Sequence, residues 1–190
     1  VTTEAEALAE LHGALIASTA GHAAAARRHL ELAGAPGGAG YAEHRALAFV
    51  HQWCFLIEEP PTDPALLREL IGDPVSMRMS DGRVLTEYAE IATWHDATAN
   101  AVETTTHTLV EWKLTRPEPG RYDVALDFAW QGITAARQPM TARTHHEWTL
   151  TDADEHFPRL ASFVVTAVRP FAPATAVDAL ADLRGSSPAA

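Results

Sequence analysis

The chain has 190 residues, and its 25 acidic against 14 basic residues leave a formal net charge of -11. That balance, with no basic run, argues against a nucleic-acid surface, because phosphate binding draws its affinity from clustered Lys and Arg. No apolar run approaches the roughly 18 residues of a membrane-spanning helix. The sequence opens without a cationic segment followed by an apolar stretch, and Cys54 is the one cysteine, so a cytoplasmic protein without a disulfide framework is expected.

At this length the chain is expected to hold one core domain with an appendage. Residues 3–33 read as helical: Thr3 with Glu6 suggests a capping box, and Leu8, Leu11 and Leu15 recur at helical spacing. Gly21 is expected to split the segment. Its Ala-rich second half has helix propensity but a thin apolar face, as in a peripheral layer. Gly34-Ala35-Pro36-Gly37-Gly38-Ala39-Gly40 reads as a linker. The expected division is an N-terminal helical extension (1–40), a core domain (41–172) and a C-terminal tail (173–190).

In the core, Leu47, Val50, Cys54 and Ile57, with a second row of Phe49, Trp53 and Leu56, predict a helix that must be covered on most sides. Two prolines within 58–62 end it, and Asp63-Pro64 opens a short helix closed by Gly72. Val75, Met77 and Met79 alternate with polar residues before the hairpin pair Asp81-Gly82. A third core helix, about 86–102, places Tyr88, Ile91, His95, Ala99 and Val102 on one stripe with Trp94 beside it.

Residues 101–171 decide the fold. β-branched and aromatic residues recur there at a period near two, giving strands at about 105–115, 121–134, 140–150 and 159–171 joined by short turns. The fold class is α+β, a curved antiparallel sheet of four to six strands wrapped around helices. A short helix at 176–183 and a disordered Gly-Ser-Ser-Pro end are expected to follow.

Helix, short helix, hairpin, helix and four-stranded meander is an element order that resembles the cone-shaped, cystatin-like fold of nuclear transport factor 2, ketosteroid isomerase and scytalone dehydratase. Within it, Thr106-His107-Thr108-Leu109-Val110, Phe128-Ala129-Trp130-Gln131-Gly132 and Trp148-Thr149-Leu150 look like phrases of the SnoaL-like polyketide cyclase branch. The resemblance spans roughly residues 41–171. It implies an apolar cavity at the open end of the cone, a small hydrophobic substrate, acid–base chemistry without a cofactor, and a homodimer paired through the sheet. Cyclisation, isomerisation and dehydration are the implied reactions, and a non-catalytic binding or interaction module of the same fold is the alternative. A third reading makes the N-terminal helices a docking arm for a larger assembly.

His107 leads the candidate catalytic residues, because its position resembles a cavity histidine of those relatives and a neutral imidazole exchanges protons near neutral pH. His95 points inward from the apolar stripe of the third core helix. Asp127 falls on the face of its strand opposite Tyr122, Val124, Leu126, Phe128 and Trp130, hence outward unless a bulge shifts the phase. His51 stands on the long core helix where relatives carry a pocket carboxylate or tyrosine. Glu58 and Glu59 read as solvated helix-end residues. His145 and His146, adjacent on a strand, point to opposite faces. Trp53, Tyr88, Trp94, Phe128, Trp130 and Trp148 are the candidate substrate-contacting rings, and Val110, Trp112 and Leu114 the apolar area expected away from the His107 face.

The sequence has no HExxH, no paired Cys-x-x-Cys, no phosphate-cradling glycine loop and no nucleophile elbow, so neither a metal nor a nucleotide cofactor is implied. The last strand has no Asp or Glu, which departs from the epoxide hydrolases of similar fold.

Overall fold

In the computed structural model, which describes residues 2–61, 63–152 and 156–186, the first element is a single unbroken helix, α1 (Glu4–Ala33). Thr3 and Glu6 close its first turn as a capping box. Gly21 does not divide it. The intrinsic cost of an interior glycine is about 1 kcal/mol, and packing outweighs it: Leu11, Leu15, Thr19, His22 and Ala26 bury one continuous stripe. The partner is α2 (Tyr41–Glu58), entered through Gly40 at φ 76°, a conformation open to glycine because it lacks a Cβ. Thr19 meets Glu58, His22 meets His51 and His29 meets His44, so the two helices run antiparallel. The Ala-rich second half buries only His22, Ala26 and Ala33 and leaves its other side to solvent, the thin packing face of an outer layer.

After α3 (Ala65–Leu70), β1 (Ile71–Arg78) begins directly. Gly72 belongs to the strand and does not close the helix: a Cβ there would stand 2.6 Å from the Leu160 carbonyl oxygen, so a glycine is required where the backbones meet. Then come β2 (Val84–Leu85), α4 (Tyr88–Asn100) and the meander β3 (Val102–Thr115), β4 (Arg121–Thr134), β5 (Pro139–Thr151) and β6 (Arg159–Pro173), with α5 (Ala176–Gly185) last. Of the expected disordered Gly-Ser-Ser-Pro end, Gly185 completes α5 and Ser186 caps it, buried, while Ser187 and Pro188 lie outside the described residues.

The six strands form one sheet in the order β2-β1-β6-β5-β4-β3. Every neighbouring pair is antiparallel except β1 and β6, so the sheet is mixed where a wholly antiparallel one was expected. β1 reaches β6 through helix and meander, with no tight turn to impose a direction. The concave face carries Tyr122, Val124, Leu126 and Phe128 against Phe49, Trp53 and Leu56 of α2, all buried. Each such side chain contributes about 1.5–3 kcal/mol on leaving water.

At the edge of the sheet, the β3–β4 register slips by one residue between Leu109 and Glu111. This bulge returns Trp112 and Leu114 to the concave side, opposite Leu126 and Val124, and corrects their expected placement away from His107. α1 lies along the same edge, where Ser18 accepts from Thr106 and His22 meets the His107 carbonyl. It thereby satisfies polar groups that an edge strand otherwise exposes. At its other end α1 packs Leu11 and Leu15 on Ile133 of β4 and Ala179 of α5.

Candidate active site

The curvature of β3–β6 and the cover provided by α2 and α4 leave a cavity of about 1070 Å³. Trp53, Trp94, Phe128, Trp130 and Trp148 all line it. Their rings interlock: Trp53 stacks on Trp94 at 6.4 Å and meets Trp148 edge-on at 6.0 Å, and Trp130 meets Phe171 edge-on at 4.2 Å near the mouth. Gly132 makes room for Trp130, since a Cβ there would stand 2.7 Å from the indole. Tyr88 does not reach the lumen. Its hydroxyl donates to the Pro64 carbonyl, which turns the ring toward the start of α3.

His107 of β3 lies in the wall with its side chain 19% exposed. Behind it, Glu58 has no exposed side-chain surface, which overturns the reading of Glu58 as a solvated helix end. Glu58 Oε1 accepts the His107 backbone N–H at 2.5 Å and lies 3.3 Å from its ring Nδ1, while Oε2 accepts the Thr19 hydroxyl at 3.0 Å. Among the described residues, each hydrogen bond at the carboxyl is donated to it. With Nδ1–H directed at Glu58, the lone pair of His107 is on Nε2.

His146 faces the same lumen from β5, with its neighbour His145 on the opposite face. The Trp148 indole N–H donates to His146 Nδ1 at 3.2 Å, so the ring proton is on Nε2, 3.0 Å from the Thr144 hydroxyl. Burial, helped by the charges of His107 and His145, pushes its pKa down to about 3. His146 is therefore a neutral donor at ordinary pH, and the chain Trp148, His146, Thr144 ends in a hydroxyl that lines the lumen. Cys54 lines the wall as a protonated thiol, because burial raises its pKa well above the ordinary value.

The other candidates lie elsewhere. Asp127 is on the convex face, where Oδ1 pairs with His145 Nδ1 at 2.7 Å; strand alternation carries it away from the cavity. His95 is buried beneath α2 and donates Nε2–H to the Leu56 carbonyl at 2.9 Å, a core histidine satisfied by backbone. His51 is packed between α1 and α2, and burial with the charges of His22 and His29 lowers its pKa to about 4. None of these three side chains lines the lumen.

The sequence did carry signals for the residues that were missed. Glu58 stands four residues after Cys54 and seven after His51, and so continues an inward stripe. His22 and His29 repeat at seven on α1, as His44 and His51 do on α2. Matching heptad spacings on two helices indicate a shared face. Among the described residues, no group of three or more His, Cys, Asp or Glu side chains converges as metal ligands do.

No protein-family model and no curated protein matches the chain. Solved structures do. A candidate scytalone dehydratase from Novosphingobium aromaticivorans superposes with a TM-score of 0.61 at 8% identity, covering 70% of this chain and 87% of its own. An NTF2-like superfamily protein from Salmonella enterica gives 0.58 at 12%, covering 70% and 94%. This chain has the NTF2-like fold. The hexachlorocyclohexane dehydrochlorinase LinA-type3 from Novosphingobium barchaimii is also similar, at 0.57 and 8% identity over 66% of this chain and 85% of that one. The NTF2-like neighbours thus include structures named for elimination reactions, and at these identities the likeness shows the fold alone.

Proposed function

We propose that the protein is a cofactor-free acid–base enzyme of the lyase or isomerase type, acting on a small hydrophobic ring compound. The observation that carries this reading is the Glu58–His107 pair, with a fully buried carboxyl behind an imidazole in the wall of an aromatic cavity. His107 Nε2 takes a proton from a carbon beside a carbonyl, and Glu58 stabilises the imidazolium that forms. The enolate oxygen accepts a hydrogen bond from Thr144, whose orientation is set by His146. The electron pair then either expels a group from the next carbon, as in dehydration, or returns to a proton at another position, as in isomerisation or ring closure.

Register places Leu109, Phe128 and Thr144 in one row and His107 in the row beside it. At strand spacing, the Thr144 and His107 backbones are roughly 12 Å apart, and their side chains converge across the concavity. That span accommodates a compound of one or two fused rings, in keeping with a polyketide- or terpenoid-like substrate of secondary metabolism. A purely binding module predicts a lumen without an imidazole or carboxylate, and His107 in the wall counts against it.

A nitrobenzisoxazole tests the base without knowledge of the natural substrate. Loss of its C–H proton drives the electron pair into a nitrile, breaks the N–O bond and releases a coloured phenolate. Saturable ring opening by the wild type that falls at least a hundredfold in H107A is expected for a positioned general base. Equal rates in the two proteins would overturn the assignment.

A further inference from the structure

Among the described residues, His107 is the one strand residue that hydrogen-bonds the Glu58 carboxyl. Besides the N–H and ring of His107, the groups that reach it come from α1, which precedes the core. Thr19 directs its one hydroxyl proton between Glu58 Oε2 at 3.0 Å and the Leu15 carbonyl of its own helix at 3.2 Å, and the carboxylate is the closer and stronger acceptor. His22 Nε2 stands 3.0 Å from the His107 carbonyl oxygen and 3.6 Å from Glu58 Oε1. We infer that α1 is a working part of the active site, in which Thr19 and His22 are positioning residues that orient Glu58 toward His107. This inference rests on the reading of Glu58 and His107 as the acid–base pair.

The tautomers follow from the contacts. The His107 carbonyl can only accept, so His22 carries its proton on Nε2 and offers a lone pair at Nδ1. His51 Nδ1 lies 2.9 Å from that lone pair and must bring the proton. His51 thus fixes His22, His22 meets the strand that bears His107, and the arrangement holds only while both rings are neutral. Burial lowers the pKa of each, against the attraction of Glu58 in the case of His22. The charged and titratable groups facing this column are Glu58 and His107 at one end and His29, His44 and Arg28 at the other. His29 stacks on His51 at 5.6 Å and meets His44 Nδ1 to Nδ1 at 3.0 Å, so the order continues along the helix interface.

Thr19 fixes one carboxyl oxygen and the backbone and ring of His107 take the other. A glutamate with both oxygens engaged loses the rotation about its last bond that would carry it off the imidazole. Were α1 only a cover for the sheet edge, apolar residues at 19 and 22 would serve equally well. Instead two polar side chains are buried there, each with a partner at the site.

Heteronuclear NMR of the full chain decides this without any substrate. A slowly exchanging, downfield imidazole N–H is expected in the wild type and assigned to His107 Nδ1 by its loss in H107A. It should weaken or vanish in T19V and H22L and persist in H22Q, whose amide N–H replaces the His22 donor. In the nitrobenzisoxazole assay, T19V should lower kcat about tenfold, the scale of a hydrogen bond to a charged group, and H22L about fivefold, the scale of one to a neutral carbonyl, with KM unchanged and H22Q within about twofold of wild type. If H22L does not fold, T19V and H22Q carry the comparison. An unchanged His107 resonance and kcat in T19V and H22L, or an H22Q variant no better than H22L, overturns the role of α1. A wild type no faster than H107A overturns the acid–base reading instead, and the role of α1 at the site falls with it.

Discussion

Two imidazole–carboxyl pairs stand on opposite faces of the sheet. His145 and Asp127 meet at 2.7 Å on the convex side with 37% and 46% of their side chains exposed. His107 and Glu58 meet at 3.3 Å on the concave side with 19% and 0% exposed. The closer pair is the more exposed one. In water each partner is already solvated and salt screens the attraction, so an exposed pair of this kind contributes about 0–1 kcal/mol. Behind the cavity the same attraction acts with little solvent between the partners, and one ring nitrogen is left for a bound molecule. On the proposed reading, reactivity follows from surroundings and not from the contact distance.

The largest expected effect breaks the concave pair. H107A should lower benzisoxazole ring opening about a hundred- to ten-thousandfold, the range of a lost general base, and E58Q should follow it by at least tenfold in kcat. Steady-state kinetics beside D127N and H145A, both expected to stay within about twofold because they lie outside the lumen, checks the contrast between the faces.

Acid should come next. A buried histidine with a depressed pKa binds fewer protons when folded than when unfolded. Its contribution to stability is therefore complete above the ordinary value of 6.5 and is lost as pH falls toward its folded value, about 4 for His51 and about 3 for His146. At about 1.36 kcal/mol per unit, the two sites each lose on the order of a few kcal/mol across that window. Urea unfolding between pH 7 and 4 measures the loss. H51F and H146F, which cannot titrate, should each flatten the slope; a slope unchanged in both would refute the assignment.

A smaller effect concerns how the cavity is shaped. G132A places a methyl against the Trp130 indole and should cost about 1–3 kcal/mol, the scale of overpacking, with a raised KM for the benzisoxazole. Thermal unfolding and kinetics together report it. Smallest of all, D127N should change stability by less than about 1 kcal/mol, and what change it makes should disappear in high salt.

Most of the fold was legible because period-two and helical spacing are local properties of the chain. The four meander strands, the wide-faced α2, the cap at Thr3 and the outward phase of Asp127 all follow from neighbours in sequence. The parallel contact of β1 with β6 and the bulge at Val110 depend on pairing between distant segments and have no local signature.

The candidate site was legible only by half. His107 and the tryptophans could be picked out as single residues. For Glu58 and His22 helical spacing marks a face, but nothing local to a helix end or an Ala-rich helix shows that this face, or Thr19 beside it, loses its water. What the sequence alone determined was which stretches form helix or strand and which face of each is apolar, since both are set within a few residues. Only the tertiary structure decided which polar residues lose their water. Burial of Glu58 requires α1, α2 and β3 to close on one point from positions 19, 58 and 107, and desolvation acts through such closure rather than through the order of residues.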